Sequence, residues 1–536
     1  MGSSQSAPNR EEAALLVQRL HAMRMQDRDI ERDYVSIDTE KGMLTSHANS
    51  PSLSISSAET WEKQLLADPK NRLALSALMQ NDVRNIISQK VATLPDTQTY
   101  NVKIPFEGSP VTNQRSSGRC WLFATTNVLR VPIMKKYNLK EFELSQSYLF
   151  FWDKLEKSNW FLEQIIDTSD MDLDSRIVQE LLGSPVSDGG QWDMAANLVH
   201  KYGLVPQTLY PDSYNAMNSG AMGSIITSKL REDALKLRSI KQQATSGTSS
   251  KLAAMKARML QEVHCILTLM LGPPPKPEDK FSWDHYDSNG KFHQLQKTPL
   301  DFAADISSSN SFRTLGAKVS DMFSLVNDPR NPYMKLLTVD RLGNVVGGRP
   351  VTYVNVDMST MKAAAISMLK AGIPVFFGSD VGKYSNSTTG TMDTRLYDYK
   401  LAFNVSLDMS KSQRLRTRES ASMFPSQTCP SSASLLLPDV LLQRTEPDMS
   451  STVTHAMTLT AVHLDPSTGK PIRWRVQNSW GTSAGTEGYM VMTDAWMDEF
   501  VYQVVVDPGY VGKEIKEILG TKAKRLDLWD PMGALA

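Results

Sequence analysis

The chain has 536 residues, of which 41% are hydrophobic and 22% are charged, and its 58 basic side chains balance 58 acidic ones. This composition excludes a fibrous or disordered protein, and the zero net charge argues against a globally basic nucleic-acid-binding protein. No apolar run reaches the roughly 18 residues that a membrane-spanning helix needs, so integral membrane association is not expected.

The N-terminal segment, residues 1–59, is predicted to be a disordered extension that precedes the folded protein. Gly2, with Ser6 four positions later, matches the pattern for N-myristoylation, and a bare polar tail is the alternative interpretation. A mitochondrial presequence is also open, although the six acidic residues within positions 1–34 disfavour one.

Helical patterns dominate the first half of the chain. Helical periodicity covers residues 61–90, and the apolar run Trp121–Val131 predicts a helix that Pro132 should limit. Residues 225–270 predict two amphipathic helices on either side of a break at 246–250.

The second half of the chain is rich in β-branched and aromatic residues, which predicts strands. The predicted strands are Val351–Val356, Pro374–Gly378, His455–His463, Ile472–Gln477, Gly488–Met492 and Tyr502–Val506. Residues 409–452 are rich in serine and proline and are predicted to be an inserted loop, with Lys411, Arg414, Arg416 and Arg418 on a solvated surface. Helices first and strands last indicate an α+β protein with two lobes.

Three cysteines occur, Cys120, Cys265 and Cys429, and their odd number and wide spacing exclude a disulfide framework. Such usage indicates a reducing compartment. Cys265 lies beside Ile266 and Leu267 and is expected in the core, whereas Cys429 in the Ser/Pro-rich stretch is expected to be exposed. The eight histidines show no metal-ligand spacing, so no metal is expected. No other cofactor is expected either.

Cys120 follows a glycine turn and precedes the apolar helix. A thiol at a helix N-terminus feels the positive end of the helix dipole, which favours the thiolate and hence covalent catalysis. A buried structural cysteine is the alternative interpretation at this point.

Three further residues could complete a catalytic group around this thiol. His455 opens a predicted strand, and Asn478 ends the next one, where its amide could orient the imidazole while Trp480 shields their bond. Gln114, six positions before Cys120, could donate to an oxyanion. Taken singly, the histidine could be a core residue, the asparagine a turn residue and the glutamine a surface residue.

Together, Gln114-x5-Cys120-Trp121, Thr454-His-Ala-Met457 and Asn478-Ser-Trp-Gly481 resemble the papain-like cysteine peptidases. The histidine follows the cysteine at far more than the ~130–150 residues usual there, so large segments must be inserted. Further stretches resemble the bleomycin hydrolase family of intracellular cysteine aminopeptidases: Pro110–Ala124, Leu139–Gln146, Asp188-Gly-Gly-Gln191, Asn327-Asp-Pro-Arg330, Asp340–Asn344 and Trp529–Ala536.

This resemblance implies a papain-like two-lobe fold over residues 60–536, with a helical insertion over about 225–300 and a C-terminal arm over about 526–536. It makes Cys120 the nucleophile, His455 the general base and acid, Asn478 the orienting residue and Gln114 the oxyanion donor. Gly189 and Gly190 would offer backbone to the substrate, with a turn as the alternative for this pair.

The resemblance also implies that the arm lies in the cleft. The carboxylate of Ala536 would there attract the α-ammonium of peptides with a free N-terminus. Members of the family remove their own last residue, a step that this sequence, ending in Ala-Leu-Ala, would not need. A frayed tail is the alternative. A homohexamer and a cytoplasmic location are further implications, and related amides and reactive thiolactones would be hydrolysed by the same chemistry.

Residues 421–453 separate Glu419-Ser420 from Thr454-His455, which lie almost side by side in the family. A long loop costs little closure entropy, but it lies next to the predicted base. The alternative function is therefore a ring that acts as a scaffold or binds single-stranded nucleic acid with impaired peptidase activity. The basic residues Lys522, Lys524 and Arg525 are a second cluster relevant to that alternative, again more typical of a solvated surface.

Overall fold

The computed structural model describes residues 52–93, 98–243, 248–305, 319–405, 407, 409–417 and 455–534. These fall into two compact units that meet in sequence between Asn81 and Asp82. The first unit contains helices α1 (Ile55–Ala67) and α2 (Pro69–Leu78). Helix α1 begins inside the extension predicted as disordered, because Ser54 caps it by accepting a hydrogen bond from the N–H of Ser57. The predicted boundary at residue 59 is corrected accordingly.

The second unit contains most of the helices. These are α3 (Val83–Ile87), α4 (Lys90–Thr93), α5 (Cys120–Tyr137), α6 (Gln146–Asp167), α7 (Arg176–Gly183), α8 (Trp192–Tyr202), α9 (Tyr214–Met217), α10 (Gly220–Gln242), α11 (Thr248–Leu271), α12 (Pro299–Ala304), α13 (Met358–Lys370), α14 (Tyr399–Phe403), α15 (Lys411–Thr417), α16 (Asp494–Phe500) and α17 (Lys513–Ile518). Helices α10 and α11 confirm the two amphipathic helices predicted over 225–270.

Most of the strands lie in the second half of the chain. They are β1 (Val102–Lys103), β2 (Phe281–Tyr286), β3 (Phe292–Lys297), β4 (Phe323–Val326), β5 (Lys335–Val339), β6 (Tyr353–Asn355), β7 (Val375–Ser379), β8 (Ser385–Asn386), β9 (Thr391–Met392), β10 (His455–Leu464), β11 (Pro471–Gln477), β12 (Tyr489–Thr493), β13 (Val501–Val506) and β14 (Lys524–Leu526). Strands β6, β7 and β10–β13 confirm the six predicted from the sequence, and β2 and β3 form a hairpin within the segment predicted to be a helical insertion.

Among the described residues, a mixed sheet runs in the order β14-β5-β6-β4-β13-β7-β10-β11-β12-β9-β8, and β1 also pairs with β10. Strand β10 lies in its middle, antiparallel to both β7 and β11. Helix α5 packs against β10 within one continuous hydrophobic core. The start of the central helix therefore comes close to the start of the central strand.

Helix α5 does not stop before Pro132 as predicted, but continues to Tyr137. Proline in a helix removes one backbone hydrogen bond, at a cost of about 3 kcal/mol. Every residue from Cys120 to Met134 is buried, and the packing of this length of helix compensates for that cost. The helix ends at Asn138, whose left-handed conformation (φ 52°) lets its N–H bond back to the carbonyls of Lys135 and Met134.

Helix α15 corrects two predictions for the segment 409–452. Lys411 and Arg414 are buried rather than solvated. The ammonium of Lys411 donates to Asn327 Oδ1 (3.0 Å) and to the carbonyls of Asp498 (3.1 Å) and Val501 (2.6 Å). Arg414 pairs with Glu499 at 2.8 Å. These oxygens replace the water that the two cations lose, so basic residues anchor the helix to the C-terminal end of α16.

Candidate active site

Cys120 is the first residue of α5, and only 2% of its surface is exposed. Arg119 precedes it without capping the helix through its side chain, which leaves the first N–H groups of α5 close to the thiol. Burial raises the pKa of the Cys120 thiol to about 11, whereas the backbone N–H groups of Ala456, Trp121 and Cys120 itself lower it. The N–H of Ala456 belongs to β10, so the sulfur lies where this strand begins.

His455 is the first residue of β10 and pairs across the sheet with Ser379 of β7. Its Nε2 lies 2.8 Å from Oδ1 of Asn478, the residue that follows β11. An amide oxygen only accepts, so Nε2 donates and Nδ1 keeps a lone pair for proton exchange. Burial lowers the pKa of His455 to about 4, and the bond to Asn478 acts in the opposite direction. Burial therefore favours the neutral imidazole, and the hydrogen bond to Asn478 fixes the orientation of the ring.

Trp480 covers this pair of side chains. Its ring stacks on the imidazole of His455 with centroids 4.7 Å apart and planes at 25°. Asn478 beneath it is fully buried. An amide–imidazole hydrogen bond is stronger when water cannot compete for either partner, so the indole preserves the orientation of His455.

Gln114 reaches the same region through a short pairing of two loops. Its N–H donates to the carbonyl of Ser479 (2.8 Å), and the N–H of Gly481 donates to the carbonyl of Thr112 (3.0 Å). The side-chain amide accepts from the hydroxyl of Ser479 (2.7 Å) and donates to the carbonyl of Ser117 (2.7 Å). One of its two N–H groups is thus committed, and the second is the one available to an oxyanion.

Gly189 and Gly190 lie against the residue that follows the cysteine. The indole N–H of Trp121 donates to the carbonyl of Asp188 (2.7 Å). A Cβ on Gly190 would stand 2.5 Å from the ring of Trp121, so only glycine permits this approach. The ammonium of Lys157 holds the carbonyl of Gly189 at 2.5 Å. This glycine pair is therefore fixed beside the start of α5.

The C-terminal arm runs to the same place. Asp530 pairs with Arg330 at 2.7 Å, and the guanidinium of Arg176 lies 3.7 Å above the ring of Trp529. Beyond them, the amide N–H of Gln191 donates to the carbonyl of Ala534 (2.5 Å). Gln191 directly follows the glycine pair, so Ala534 of the arm lies beside that backbone. Leu535 and Ala536 lie outside the described residues.

The chain is similar to known proteins along most of its length. The sequence model of the Peptidase C1-like family matches residues 52–425 and 444–533. This chain belongs to that family. It is 39% identical to "Cysteine proteinase 1, mitochondrial" of Saccharomyces cerevisiae over 91% of this chain and 94% of the relative. It is 38% identical to the bleomycin hydrolase of Mus musculus over 88% of this chain and 96% of the relative.

The fold of this C1-like peptidase also matches a solved structure. The crystal structure of PepW from Lactobacillus rhamnosis superposes with a TM-score of 0.79 at 37% identity, covering 91% of this chain and 100% of that one. The predicted resemblance to the bleomycin hydrolase family and the predicted α+β papain-like fold are both confirmed. The chain is accordingly a papain-like cysteine peptidase-family hydrolase.

Several predicted features of the C1-like peptidase lie outside the described residues: Gly2, Cys429, Ala536 and the insert 421–453. The family model leaves only residues 426–443 of that insert unmatched. Cys265 is a correction, because it is exposed rather than in the core. Leu267, two positions on, is buried instead, because residues two apart in a helix are separated by about 200° around its axis.

Lys157 and Gln191 contact the backbone beside the candidate site, and the sequence patterns did not single them out for a role. Gln191 belongs to the stretch Asp188-Gly-Gly-Gln191, which was noted only for its resemblance. Within the ranges that the structure describes, no group of three acidic, histidine or cysteine side chains is arranged to hold a metal ion. In the same ranges, no helix is both long and apolar enough to cross a membrane.

The bond between Asn478 and His455 leads to a first prediction. Replacing Asn478 by alanine should lower kcat by about tenfold to a hundredfold with little change in KM, because the imidazole loses its orientation while the cleft is kept. Steady-state hydrolysis of an aminoacyl-amide reporter measures both constants. Asn197→Ala is the matched control, because Asn197 is a buried asparagine bonded to the backbone of Arg349 instead. Equal kcat values in the two variants would contradict the orienting role.

Proposed function

We propose that this C1-like peptidase is a cytosolic cysteine aminopeptidase that removes N-terminal residues from peptides and related amides. The observation that carries the proposal is the hydrogen bond from Gln191 to Ala534 (2.5 Å), which puts the C-terminal arm beside the glycine pair next to Cys120. A peptide can extend only a short way along that backbone before it meets the arm. The first peptide bond of the substrate is then the one that reaches the sulfur.

Acylation begins when the Cys120 sulfur attacks the first carbonyl carbon of the substrate. Burial disfavours an isolated thiolate and an isolated imidazolium alike, but the two charges formed by one proton transfer attract each other. His455 takes the thiol proton on Nδ1 and delivers it to the departing amine as the C–N bond breaks. The products of this step are a thioester on Cys120 and the shortened peptide.

The oxyanion formed in this step needs hydrogen-bond donors that are already in place. The backbone N–H of Cys120 and the second amide N–H of Gln114 supply them in the proposed mechanism. In deacylation, His455 accepts a proton from water, whose oxygen attacks the thioester carbon, and the sulfur leaves. The free amino acid is released, and the proton on His455 returns to the Cys120 sulfur, which restores the neutral pair. No cofactor is needed.

The arm gives the proposed enzyme its preference for free N-termini. With Ala536 as the last residue, its carboxylate would face the α-ammonium of the substrate. A carboxylate titrates near ~3.5 and an α-amine near ~8, so the two attract each other at neutral pH. Gly189 and Gly190 would hydrogen-bond the extended substrate backbone, and Trp480 would border the cleft.

The same acyl-enzyme would accept other activated acyl groups, including reactive thiolactones. We further propose a homohexamer and a cytoplasmic location, for which the reducing environment that Cys120 requires is a physical reason. A mitochondrial pool is proposed from the printed name of the yeast relative, and attachment to membrane surfaces through an acylated Gly2 is proposed from its sequence pattern.

A second candidate function arises from residues 426–443, which the family model leaves unmatched close to His455. If they displaced the start of β10, the chain would be a scaffold or a ring that binds single-stranded nucleic acid with impaired peptidase activity. Helix α15 and β10 argue for activity. The contacts of Lys411 and Arg414 fix the chain before the insert, and the pairing of His455 with Ser379 fixes the chain after it.

Deletion of residues 426–443 should therefore leave kcat/KM for an aminoacyl-amide reporter within about threefold of the full chain. The remaining residues 418–425 and 444–454 can still span up to about 60 Å between α15 and β10. An increase of tenfold or more on deletion would favour the impaired ring instead. Salt-dependent binding of a single-stranded oligonucleotide, measured on the full chain, is the complementary assay.

A further inference from the structure

A largely buried ion pair next to the nucleophile turn takes no part in the proposed chemistry. The ammonium of Lys154, on α6, contacts Oδ1 of Asp188 at 2.5 Å, and the Lys154 side chain is completely buried. Burying two charges is expensive unless each is paired and further hydrogen-bonded. A pair in this position therefore needs a reason other than stability.

The other oxygen atoms of Asp188 accept hydrogen bonds from residues near the nucleophile. Its Oδ2 accepts from the backbone N–H of Gly118 (3.1 Å) and from the hydroxyl of Ser219, and its carbonyl accepts from the indole of Trp121. Gly118 and Trp121 lie on either side of Cys120 in the sequence. One residue thus binds both sides of the nucleophile turn.

The same residue begins the backbone proposed to bind the substrate, since Gly189 and Gly190 follow it directly. The two segments touch closely, because a Cβ on Gly118 would stand 2.7 Å from Cβ of Asp188. A second buried pair, Lys157–Asp153 (2.7 Å), holds the far side of this loop through the carbonyls of Ser187 and Gly189. The loop is therefore fixed from both directions.

Asp188 stays ionised in this setting. Burial alone would raise its pKa, but the charge of Lys154 and the hydrogen bonds from Lys154, Ser219 and Gly118 outweigh burial and hold the pKa at about 2. As a carboxylate, Asp188 offers two acceptor oxygens, whereas the neutral acid turns one of them into a donor. Lys154 thus keeps Asp188 in the form that can bind the turn.

We propose that Asp188 is a positioning residue that sets the distance between Cys120 and the backbone of Gly189–Gly190, with Lys154 maintaining its charge. The proposal rests on the proposed function in its use of these glycines as the substrate-binding backbone. A displacement of about 1 Å between nucleophile and bound substrate can cost a hundredfold in rate. Substrate binding and the chemical step therefore both depend on this carboxylate.

The test compares two double variants that each leave no buried charge unpaired. D188A/K154M removes the acceptor for Gly118 and Ser219, whereas D188N/K154M keeps an acceptor oxygen of the same shape. We expect D188A/K154M to lower kcat/KM for an aminoacyl-amide reporter by about tenfold to a hundredfold, with KM raised. D188N/K154M should recover to within about threefold of the wild type.

The matched control is D233A/K229M, which removes another ion pair with a fully buried carboxylate (2.7 Å), on α10. It should lower the melting temperature as much as D188A/K154M but leave KM unchanged. Wild-type kcat/KM in D188A/K154M would overturn the proposal. If both Asp188 variants lost the same factor in kcat/KM at equal melting temperatures, the proposal would be overturned too, because the acceptor oxygen retained in D188N/K154M would then have no effect.

A second readout does not require peptidase activity. Iodoacetamide labels cysteines, and peptide mass spectrometry reports Cys120 separately from Cys265 and Cys429. Cys120 is almost fully buried, so loosening its turn in D188A/K154M should speed its alkylation by about tenfold, with no change in D188N/K154M or in the control. If the wild type failed to cleave the reporter, the proposed function would fail while this comparison still decided the role of Asp188. Unchanged alkylation in D188A/K154M would count against that role.

Discussion

Replacing Cys120 by alanine should abolish hydrolysis of aminoacyl-amide reporters, with kcat reduced by a factor of roughly 10⁴ or more. The reaction depends on a covalent intermediate, because without the sulfur no thioester forms and His455 has no thiol to deprotonate. Only orientation and oxyanion donors would remain, and these act on a water molecule that the site does not position. Stopped assays at high enzyme concentration measure the residual rate.

Cys265→Ala is the matched control for this experiment, because Cys265 is an exposed cysteine on α11. Its kcat/KM should equal that of the wild type. Both variants should keep the melting temperature and the size of the assembled protein, since alanine at position 120 removes a single atom from the core. Turnover of Cys120→Ala at more than about a hundredth of the wild-type rate would refute the assignment of the nucleophile.

The second large effect is expected from ending the chain at Asp530. This truncation keeps the ion pair with Arg330 but removes Pro531 to Ala536, including the Ala534 carbonyl that Gln191 holds. Peptides with an acetylated N-terminus, which the arm should exclude, would then enter the cleft, and their kcat/KM should rise at least tenfold. Cleavage of aminoacyl amides should lose about tenfold through KM, because the α-ammonium loses its partner.

The pH dependence of the preference for free N-termini distinguishes charge attraction by the arm from simple steric exclusion by it. In the full chain, the advantage of a free N-terminus should be present below the pKa of the substrate amine, ~8, and vanish above it. The truncated chain should show no such change. Met532→Ala is the control, because it removes a buried side chain of the arm and leaves the arm backbone. An unchanged preference after truncation would exclude the arm from the mechanism.

The sequence was informative where chemistry coincides with the ends of regular elements. Cys120 at the start of a helix, and His455 and Asn478 at the ends of two strands, are visible because the apolar patterns that define those elements are strong. The six predicted strands followed from the same patterns. The unusual distance between the cysteine and the histidine likewise indicated the intervening segments.

Contacts between distant parts of the chain could not be foreseen in this way. The hydrogen bond between Gln191 and Ala534 joins residues 343 positions apart, and no sequence pattern near either residue predicts it. Lys411 was assigned to solvent because a buried lysine is rare, and only the assembled fold supplies its three oxygen partners. Pro132 was predicted to limit a helix whose burial compensates for the lost hydrogen bond.

The pairing of Thr112–Gln114 with Ser479–Gly481 has a consequence for biosynthesis. These two loops come from opposite ends of the polypeptide, so the ribosome makes the thiol hundreds of residues before it makes the histidine and the asparagine. Contacts so distant in sequence form late, after the intervening segments have folded. On the proposed mechanism, a nascent or prematurely terminated chain therefore carries a cysteine without its proton partner, and peptide cleavage should begin only after the segment bearing Asn478 has been made.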